Sequence, residues 1–127
     1  MRNADLYGRV VRFADLPVDR PRPGVERVVY ATDEVMLAWH TLEVGMAANP
    51  HHHDEFDQLV LILAGRCRYH VDGVPLEMGP GSVTLVPAGA THHIEPTEGP
   101  CVNLDVFVPP RADLLHLVAD LGVGAGS

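Results

Sequence analysis

The stretch that decides the fold is GMAANPHHHDEFDQLVLILAG, which runs from Gly45 to Gly65. Its second half, QLVLILA, is a short apolar run that ends at a glycine, as is typical of a buried β-strand. Its first half contains the tract His51–His53. Side chains two residues apart on an extended chain point to the same face, so His51 and His53 are predicted to share one face.

Further runs of β type flank this stretch on both sides. They lie between turn residues and read MLAWHTLEV, CRYHV, VPLEM, SVTLVP and CVNLDVFV. Asp72-Gly73, between the second and third of these runs, is a two-residue hairpin signature. With 12 Gly and 11 Pro in 127 residues, the chain has little room for long helices. Closely spaced strands with this punctuation predict an all-β sandwich or barrel.

The length of 127 residues fits a single domain. Residues 1–34 are predicted to form an irregular N-terminal arm, broken by prolines, with an edge strand at Glu26–Thr32. Residues 35–111 are predicted to form the barrel, and residues 112–127 a short helix and a frayed tail. The helix, with Gly122 as its C-cap, is predicted from apolar residues at helical spacing: Leu114, Leu117, Val118 and Leu121.

Charge and composition exclude several function classes. The net charge is −8 and all nine basic residues are arginines, so no lysine is present for Schiff-base chemistry. An acidic chain without a basic cluster is a poor match for nucleic acid or an anionic membrane surface. No apolar run is long enough to span a membrane and the start, MRNADLYGRV, lacks the apolar core of a signal peptide, so a cytoplasmic location is expected. Cys67 and Cys101 are expected to be free and buried.

Histidine is in excess, with eight residues. Besides the tract His51–His53, a second cluster, His92-His93, follows the corner Pro87-Ala88-Gly89. Such a corner ends a strand, which would bring a third imidazole from a distant part of the chain. Imidazoles that converge from two strands form a natural site for a first-row metal. The same tract would also suit an exposed, solvated loop.

The spacings of both clusters resemble those of the cupin superfamily, which are small β-barrels with metal sites. The first cupin motif is Gly, five residues, His-x-His, three or four residues, Glu, six residues and Gly; Gly45–Gly65 fits it with Gln58 in place of Glu. The second is Gly, five residues, Pro-x-Gly, two residues, His, three residues and Asn; Gly81–Pro96 fits it with Pro96 in place of Asn. The resemblance implies a cupin double-stranded β-helix, or jelly-roll barrel.

The same resemblance implies a centre for one divalent first-row transition metal: Zn, Ni, Fe, Mn or Co. The implied ligands are His51, His53, Gln58 and His92. A neutral Gln in place of Glu leaves the charge of the ion unshielded, which favours Lewis-acid chemistry over a change of oxidation state. Asp57 would supply a carboxylate only if the loop after the histidine tract shifted by one residue. His52 and His93 are not assigned to the metal, because strand alternation turns them to the opposite face.

The segment LDVFVPPR, from Leu104 to Arg111, resembles a subset of small cupins that also carry Gln in the first motif. That subset includes the pectin-degradation cupin that converts unsaturated uronates to linear keto forms. The resemblance implies that Asp105 is catalytic and moves a proton, and that Arg111 binds a substrate carboxylate. Strand alternation places Asn103, Asp105 and Phe107 on one face, which either lines the cavity or belongs to a solvent-facing edge strand.

We therefore expect a metal-assisted isomerase or ring-opening enzyme that acts on a small anionic, carbohydrate-like substrate. The alternatives are an iron-dependent dioxygenase, a non-catalytic module that binds a sugar or another small molecule, and a polyketide cyclase. A homodimer is expected, as for small cupins in general. His40 and His70 are interpreted as structural histidines with satisfied hydrogen bonds, and Trp39 and Tyr69 as core residues.

Overall fold

The structure is a computed structural model that describes residues 2–119. Within this range the chain forms seven β-strands and only short helical turns, which confirms the all-β prediction. The strands are β1 (Asp19–Arg22), β2 (Val25–Ala31), β3 (Met36–Leu42), β4 (Gln58–Val71), β5 (Val74–Met78), β6 (Val83–Val86) and β7 (His92–Phe107). One helical turn, α1 (Asn3–Leu6), lies near the N-terminus, and two 3₁₀ helices span Phe13–Asp15 and Ala112–Leu117.

The strands belong to one antiparallel sheet with the order β1-β2-β3-β7-β4-β5, and β6 pairs with β4. Two of them are long: β4 has 14 residues and β7 has 16. The second half of β7 lies between β3 and the first half of β4, whereas its first half pairs with the second half of β4. Because each long strand serves two parts of the sheet, the sheet closes around an interior as a jelly-roll barrel.

A bend within β4 is centred on Gly65. The register between β4 and β7 shifts around this residue, between Ile62 and Cys67. Gly65 has a φ of +70°, and a Cβ there would lie 2.5 Å from the carbonyl oxygen of Glu98 and 2.6 Å from that of Pro100. Only glycine fits so close an approach at positive φ. The glycine that closes the first motif is therefore a bend inside a strand, which continues beyond it.

The interior contains two clusters of buried apolar side chains. The first includes Val25, Leu42, Val60, Ile62, Cys67, Tyr69, Met78, Val86, Ala90 and Cys101. The second includes Val29, Ala31, Met36, Ala38, Phe107 and Leu114. Both cysteines are free and buried, as predicted. Among the described residues, the polar side chains buried with these clusters are Gln58, His92, Asn103 and Asp105. Four buried polar groups need partners or a function, and they mark the site described below.

The N-terminal arm adds strands to the barrel. The strand predicted at Glu26–Thr32 is observed as β2, but its expected position at the edge is wrong, because β2 lies between β1 and β3. The edge is β1, and an edge strand can accommodate its single proline, Pro21, which has no N–H to donate to a sheet. Ahead of it, Phe13 packs against Trp39 on β3, with ring centroids 5.1 Å apart. Trp39 is therefore half-buried beneath the arm instead of lying in the core.

The C-terminal segment forms a shorter helix than predicted. A 3₁₀ helix spans Ala112–Leu117, and its residue Leu114 is buried against the second apolar cluster. The predicted last residues of the helix, Leu121 and Gly122, lie outside the described residues. No helix in residues 2–119 is long and apolar enough to cross a membrane.

Candidate metal centre

The histidines of the two motifs meet through a backbone bridge. The amide of His51 donates to the carbonyl of His92 at 3.0 Å, and the amide of His92 donates to that of His51 at 2.8 Å. The ring of His53 lies beside both, with centroids 5.0 Å from His51 and 5.4 Å from His92. One ring nitrogen from each of the three histidines lies within 4.8 Å of the others. Residues 41 positions apart in the sequence thus form one donor cluster.

Hydrogen bonds fix the tautomers of two of these rings. Nδ1 of His51 lies 2.7 Å from the carbonyl oxygen of Asn49, and Nδ1 of His92 lies 2.9 Å from that of Ala90. A carbonyl only accepts, so each Nδ1 carries the proton and each Nε2 has a free lone pair. Nε2 of His53 and of His92 is buried without a hydrogen-bond partner among the described residues. This is the arrangement that orients histidines toward a metal, so the donor set fits one.

The surroundings of the three imidazoles favour their neutral form. Burial lowers the pKa of all three below the ordinary histidine value, and repulsion from Arg111 adds to it. For His53, the pKa falls to about 4. Metal ligands must be deprotonated, so the environment prepares these rings for binding.

Gln58 and Asp57 lie on opposite sides of the chain at the start of β4. Gln58 is 3% exposed, and its side chain hydrogen-bonds to Asp105 while its Oε1 is buried without a partner. The Asp105 carboxylate accepts from an amide nitrogen, which leaves the amide oxygen as a free donor to a cation. Asp57 is exposed, and its Oδ1 accepts from the amide of Ala88 at 2.8 Å. The structure therefore places Gln58 inside and Asp57 outside.

Asp105 lies on the inward face of β7. Its Oδ1 accepts a hydrogen bond of 3.0 Å from Nδ2 of Asn103, two residues earlier on the same face. Burial raises the pKa of Asp105 to about 6, against the opposing effects of Asn103, Gln58 and Arg111. A carboxyl with this pKa exchanges its proton close to neutral pH, as a general acid or base must.

Arg111 also reaches the interior, from just beyond β7. Its guanidinium carbon lies 5.1 Å from the centre of the Phe107 ring. It forms a two-point ion pair with Asp113, with Nε at 3.1 Å and Nη2 at 2.6 Å from the two carboxylate oxygens. The pair holds the plane of the guanidinium fixed and leaves its other N–H groups to bind a ligand.

These groups surround one cavity of about 400 Å³, a volume typical of small-molecule sites. Its polar lining consists of Arg22, Arg27, His40, Asn49, His51, His52, His53, Gln58, Tyr69, His93, Asn103, Asp105, Arg111 and Asp113. His52 and His93 belong to the lining but not to the donor cluster; Nδ1 of His52 pairs with Asp54 at 2.9 Å. The cavity is thus lined by two of the three clustered histidines, two carboxyl groups and three arginines.

Comparison with known families agrees with this geometry. A family model described as a cupin domain matches residues 38–107. The chain belongs to the cupin family. A curated relative of this cupin, the pectin degradation protein KdgF of Dickeya dadantii (strain 3937), is 26% identical over 102 residues, which are 80% of this chain and 93% of the relative.

Solved cupins have the same fold. KdgF from Halomonas sp. superposes with a TM-score of 0.79 at 24% identity and covers 85% of this chain and 99% of its own. An RmlC-like cupin from Shewanella frigidimarina NCIMB 400 superposes with a TM-score of 0.74 at 23% identity and covers 84% and 96%. This chain is thus a cupin that is similar in sequence and fold to KdgF proteins, with a three-histidine cluster suited to a metal.

One histidine was misinterpreted from the sequence. His40 of β3 is not a satisfied structural residue in this cupin, because its Nδ1 is buried without a hydrogen-bond partner, 3.5 Å from Oδ2 of Asp105. Burial and repulsion from Arg27 and Arg111 lower its pKa to about 3. A signal was available in MLAWHTLEV, where alternation puts His40 on the face of Ala38 and opposite that of Trp39. His70, by contrast, has the expected partner, Glu95 at 3.0 Å.

Tyr69 is both a core residue and a cavity residue. It is 3% exposed and stacks near His92, with centroids 6.2 Å apart. Arg22 and Arg27 line the cavity, but the sequence alone does not predict this position. Acidic residues lie among these arginines along the chain, a pattern typical of a solvent-exposed segment. Only the pairing of β1 and β2 onto β3 turns them inward.

Proposed function

We propose that this cupin is a metal-dependent isomerase that opens the ring of a small unsaturated uronate. The observation that carries the proposal is the position of Asp105. Its carboxyl group lines the same cavity as two of the clustered histidines and as Arg111, a cation suited to a substrate carboxylate. The curated relative named for pectin degradation supports the choice of a sugar acid.

His51, His53, Gln58 and His92 would hold one divalent first-row ion, which supplies Lewis-acid polarisation of a substrate oxygen. Arg111 would bind the carboxylate of the uronate through the N–H groups that Asp113 leaves free. These contacts would orient the sugar with its anomeric hydroxyl toward Asp105, which lines the same cavity. Positioning of this kind lowers the activation free energy, because the translational and rotational entropy of bringing the reacting groups together is lost on binding and not in the chemical step.

Asp105 would take the proton of the anomeric hydroxyl. The bond from the anomeric carbon to the ring oxygen then breaks, which leaves an aldehyde at that carbon and an enolate where the ring oxygen was, while Asp105 holds the proton. Return of the proton to the neighbouring carbon of the former double bond gives the linear keto acid. No atoms or electrons are gained or lost, so the reaction is an isomerisation.

The test follows the ultraviolet absorbance of a 4,5-unsaturated uronate under nitrogen, with metal-loaded protein. We expect the wild type to consume the chromophore and Asp105→Asn to be slower by about 10²–10⁴-fold, the usual contribution of general acid–base catalysis. The matched control is Asp57→Asn, an exposed carboxylate one residue before Gln58, which should retain activity.

The outcome also separates the alternatives. Consumption that requires oxygen would indicate a dioxygenase, and tight binding without turnover would indicate a binding module. Metal-loaded, folded wild type that consumes no unsaturated uronate would overturn the proposed reaction.

We further propose a homodimer formed through the outer face of the barrel. This outer face consists of Leu59, Leu61, Leu63, Val83, Leu85, Leu104 and Val106. The register makes it continuous, since Leu59 lies between Leu85 and Val106, and Leu61 between Val83 and Leu104. Leu85 and Val83 are 58% and 59% exposed. An uncharged aliphatic surface on a chain with a net charge of −8 favours a second copy of the same surface as its occupant.

A further inference from the structure

Two arginines from the N-terminal strands face the cavity at a place that the proposed ring opening does not use. Arg27 lies on β2 opposite His40 of β3, and His40 lies opposite Asn103 of β7. The sheet therefore carries these three side chains in one row along the cavity wall. Arg22 is the last residue of β1 and lines the same cavity.

Neither arginine is fully paired. Arg27 uses one Nη2 contact, at 2.6 Å from Oδ2 of Asp19, and its Nε is buried without a hydrogen-bond partner. Arg22 has a buried Nε without a partner as well, and its side chain forms no ion pair with any other residue of the described chain. Arg111, in contrast, donates hydrogen bonds from Nε and Nη2 to the two carboxylate oxygens of Asp113. A buried Nε without a partner, even on a partly buried arginine, costs free energy that a bound anion recovers.

The electrostatics of this end of the cavity point the same way. Burial, and then repulsion from Arg27, lower the pKa of Arg22 below its ordinary value. Both arginines also contribute to the low pKa of His40. Both acidic residues that line the cavity already have partners: Asp113 pairs with Arg111, and Asp105 accepts from Asn103 and Gln58. Asp19, beside the cavity, pairs with Arg27. Among the described residues, no carboxylate of the cavity lining pairs with Arg22.

We propose that Arg22 and Arg27 form a second anion subsite, so that the substrate of this cupin carries an oxyanion group in addition to the carboxylate at Arg111. The inference rests on the proposed function for its first carboxylate and extends it to a dianionic sugar acid. Planar guanidinium groups bind carboxylate and phosphate in the same two-point geometry, so either group fits the subsite.

The test compares the binding of D-glucuronate with that of two probes that each carry two anionic groups, D-glucarate and glucuronate 1-phosphate, by calorimetry; both are called dianions after their number of anionic groups. We expect at least one dianion to bind about tenfold or more tightly than glucuronate. Glucarate and the phosphate ester distinguish a second carboxylate from a phosphate. The preference should persist in metal-stripped protein, because the proposed subsite consists of arginines and not of the metal. If the preference arose from phosphate bound to the metal, it would disappear when the metal is removed.

Arg22→Gln should reduce the affinity for the dianion to that for glucuronate and leave glucuronate binding unchanged. Arg20→Gln is the matched control, since Arg20 lies on the same strand, is exposed and pairs with Glu26. If Arg22→Gln is unfolded by circular dichroism, Arg27→Gln provides the same comparison. Equal affinity for all three probes, loss of the preference with the metal, or a preference that survives in the folded arginine variants would overturn the inference.

This experiment measures binding alone, so its failure is separate from a failure of ring opening. If the protein prefers a dianion but does not consume the uronate, the second subsite is supported and the proposed reaction is contradicted. If the protein is active but shows no preference, the reaction is supported and the subsite is contradicted.

Discussion

Gln58 gives the candidate metal centre a neutral fourth donor. Its amide contacts Asp105 and its Oε1 is left without a hydrogen-bond partner, so one side chain connects the histidine cluster to the carboxyl group. An ion held by four neutral ligands keeps its full charge, which suits polarisation of a substrate oxygen.

Removing one inner ligand should empty the centre. His92→Ala is expected to lower the affinity for a divalent ion by at least about tenfold, since changes even beyond the ligands cost that much. Gln58→Ala should also bind less metal, while Asp57→Ala should bind as much as the wild type. Metal per chain is measured by elemental analysis of protein purified without an affinity tag.

Two results would contradict this assignment. If Asp57→Ala lost the metal and Gln58→Ala kept it, the carboxylate would be the ligand. If wild type and His92→Ala were equally free of metal, and added metal raised the thermal stability of neither, the cluster would not be a metal centre.

The sequence predicted the residues of this centre unevenly, for a physical reason. The histidine cluster follows from spacing within two short motifs, and spacing is a local property of the chain. His40, Arg22 and Arg27 enter the cavity because of which strand lies beside which, and a single sequence does not specify pairing. Alternation alone gives two faces for each strand and does not say which one is inside.

At the level of elements, the two long strands are the frame of the molecule. β4 and β7 continue through positions that the sequence marks as breaks, because a bend at Gly65 keeps the backbone pairing on both sides. The runs predicted as strands on each side of Gly65 are both strands in the structure. They form one continuous strand because both pair with β7, which the sequence alone does not reveal.

Gly65→Ala is expected to destabilise the barrel strongly. The left-handed conformation costs an alanine about 1–2 kcal/mol, and overlap with the carbonyls of Glu98 and Pro100 adds about 1–3 kcal/mol. Gly81→Ala is the matched control, since Gly81 has a φ of +86° but no atom within 4 Å of the added carbon. Urea unfolding of both variants measures the difference, and equal losses of stability would refute a packing role for Gly65.

At the scale of the whole molecule, the polar cavity and the apolar outer face lie on opposite sides of the same strands. Alternation along β7 turns Asp105 inward while Leu104 and Val106 face outward. One strand therefore serves ligand binding with one face and, in the proposed homodimer, subunit contact with the other.

The dimer is tested by a charge placed within the outer face. Leu85→Lys should convert the dimer to a monomer in sedimentation equilibrium, because burying an unpaired ammonium group opposes association. Val74→Lys introduces the same charge at a residue that is 56% exposed on β5, outside the outer face, and should remain a dimer. A monomeric wild type, or a dimer that survives Leu85→Lys, would exclude this interface.

The bridge between His51 and His92 has a consequence for how an ion would arrive. Two backbone hydrogen bonds already hold these ligands together, so an incoming ion orders little additional chain. The entropy of closing the loop between His51 and His92 is lost when the protein folds and not when the ion binds. Such a preformed chelate favours affinity over adaptability. It also links the ion to the whole barrel, because an ion that binds only this assembled geometry shifts the folding equilibrium by mass action. As the ion concentration falls toward the dissociation constant, the free energy of unfolding would therefore decrease while most sites are still occupied, so stability would decline before activity does.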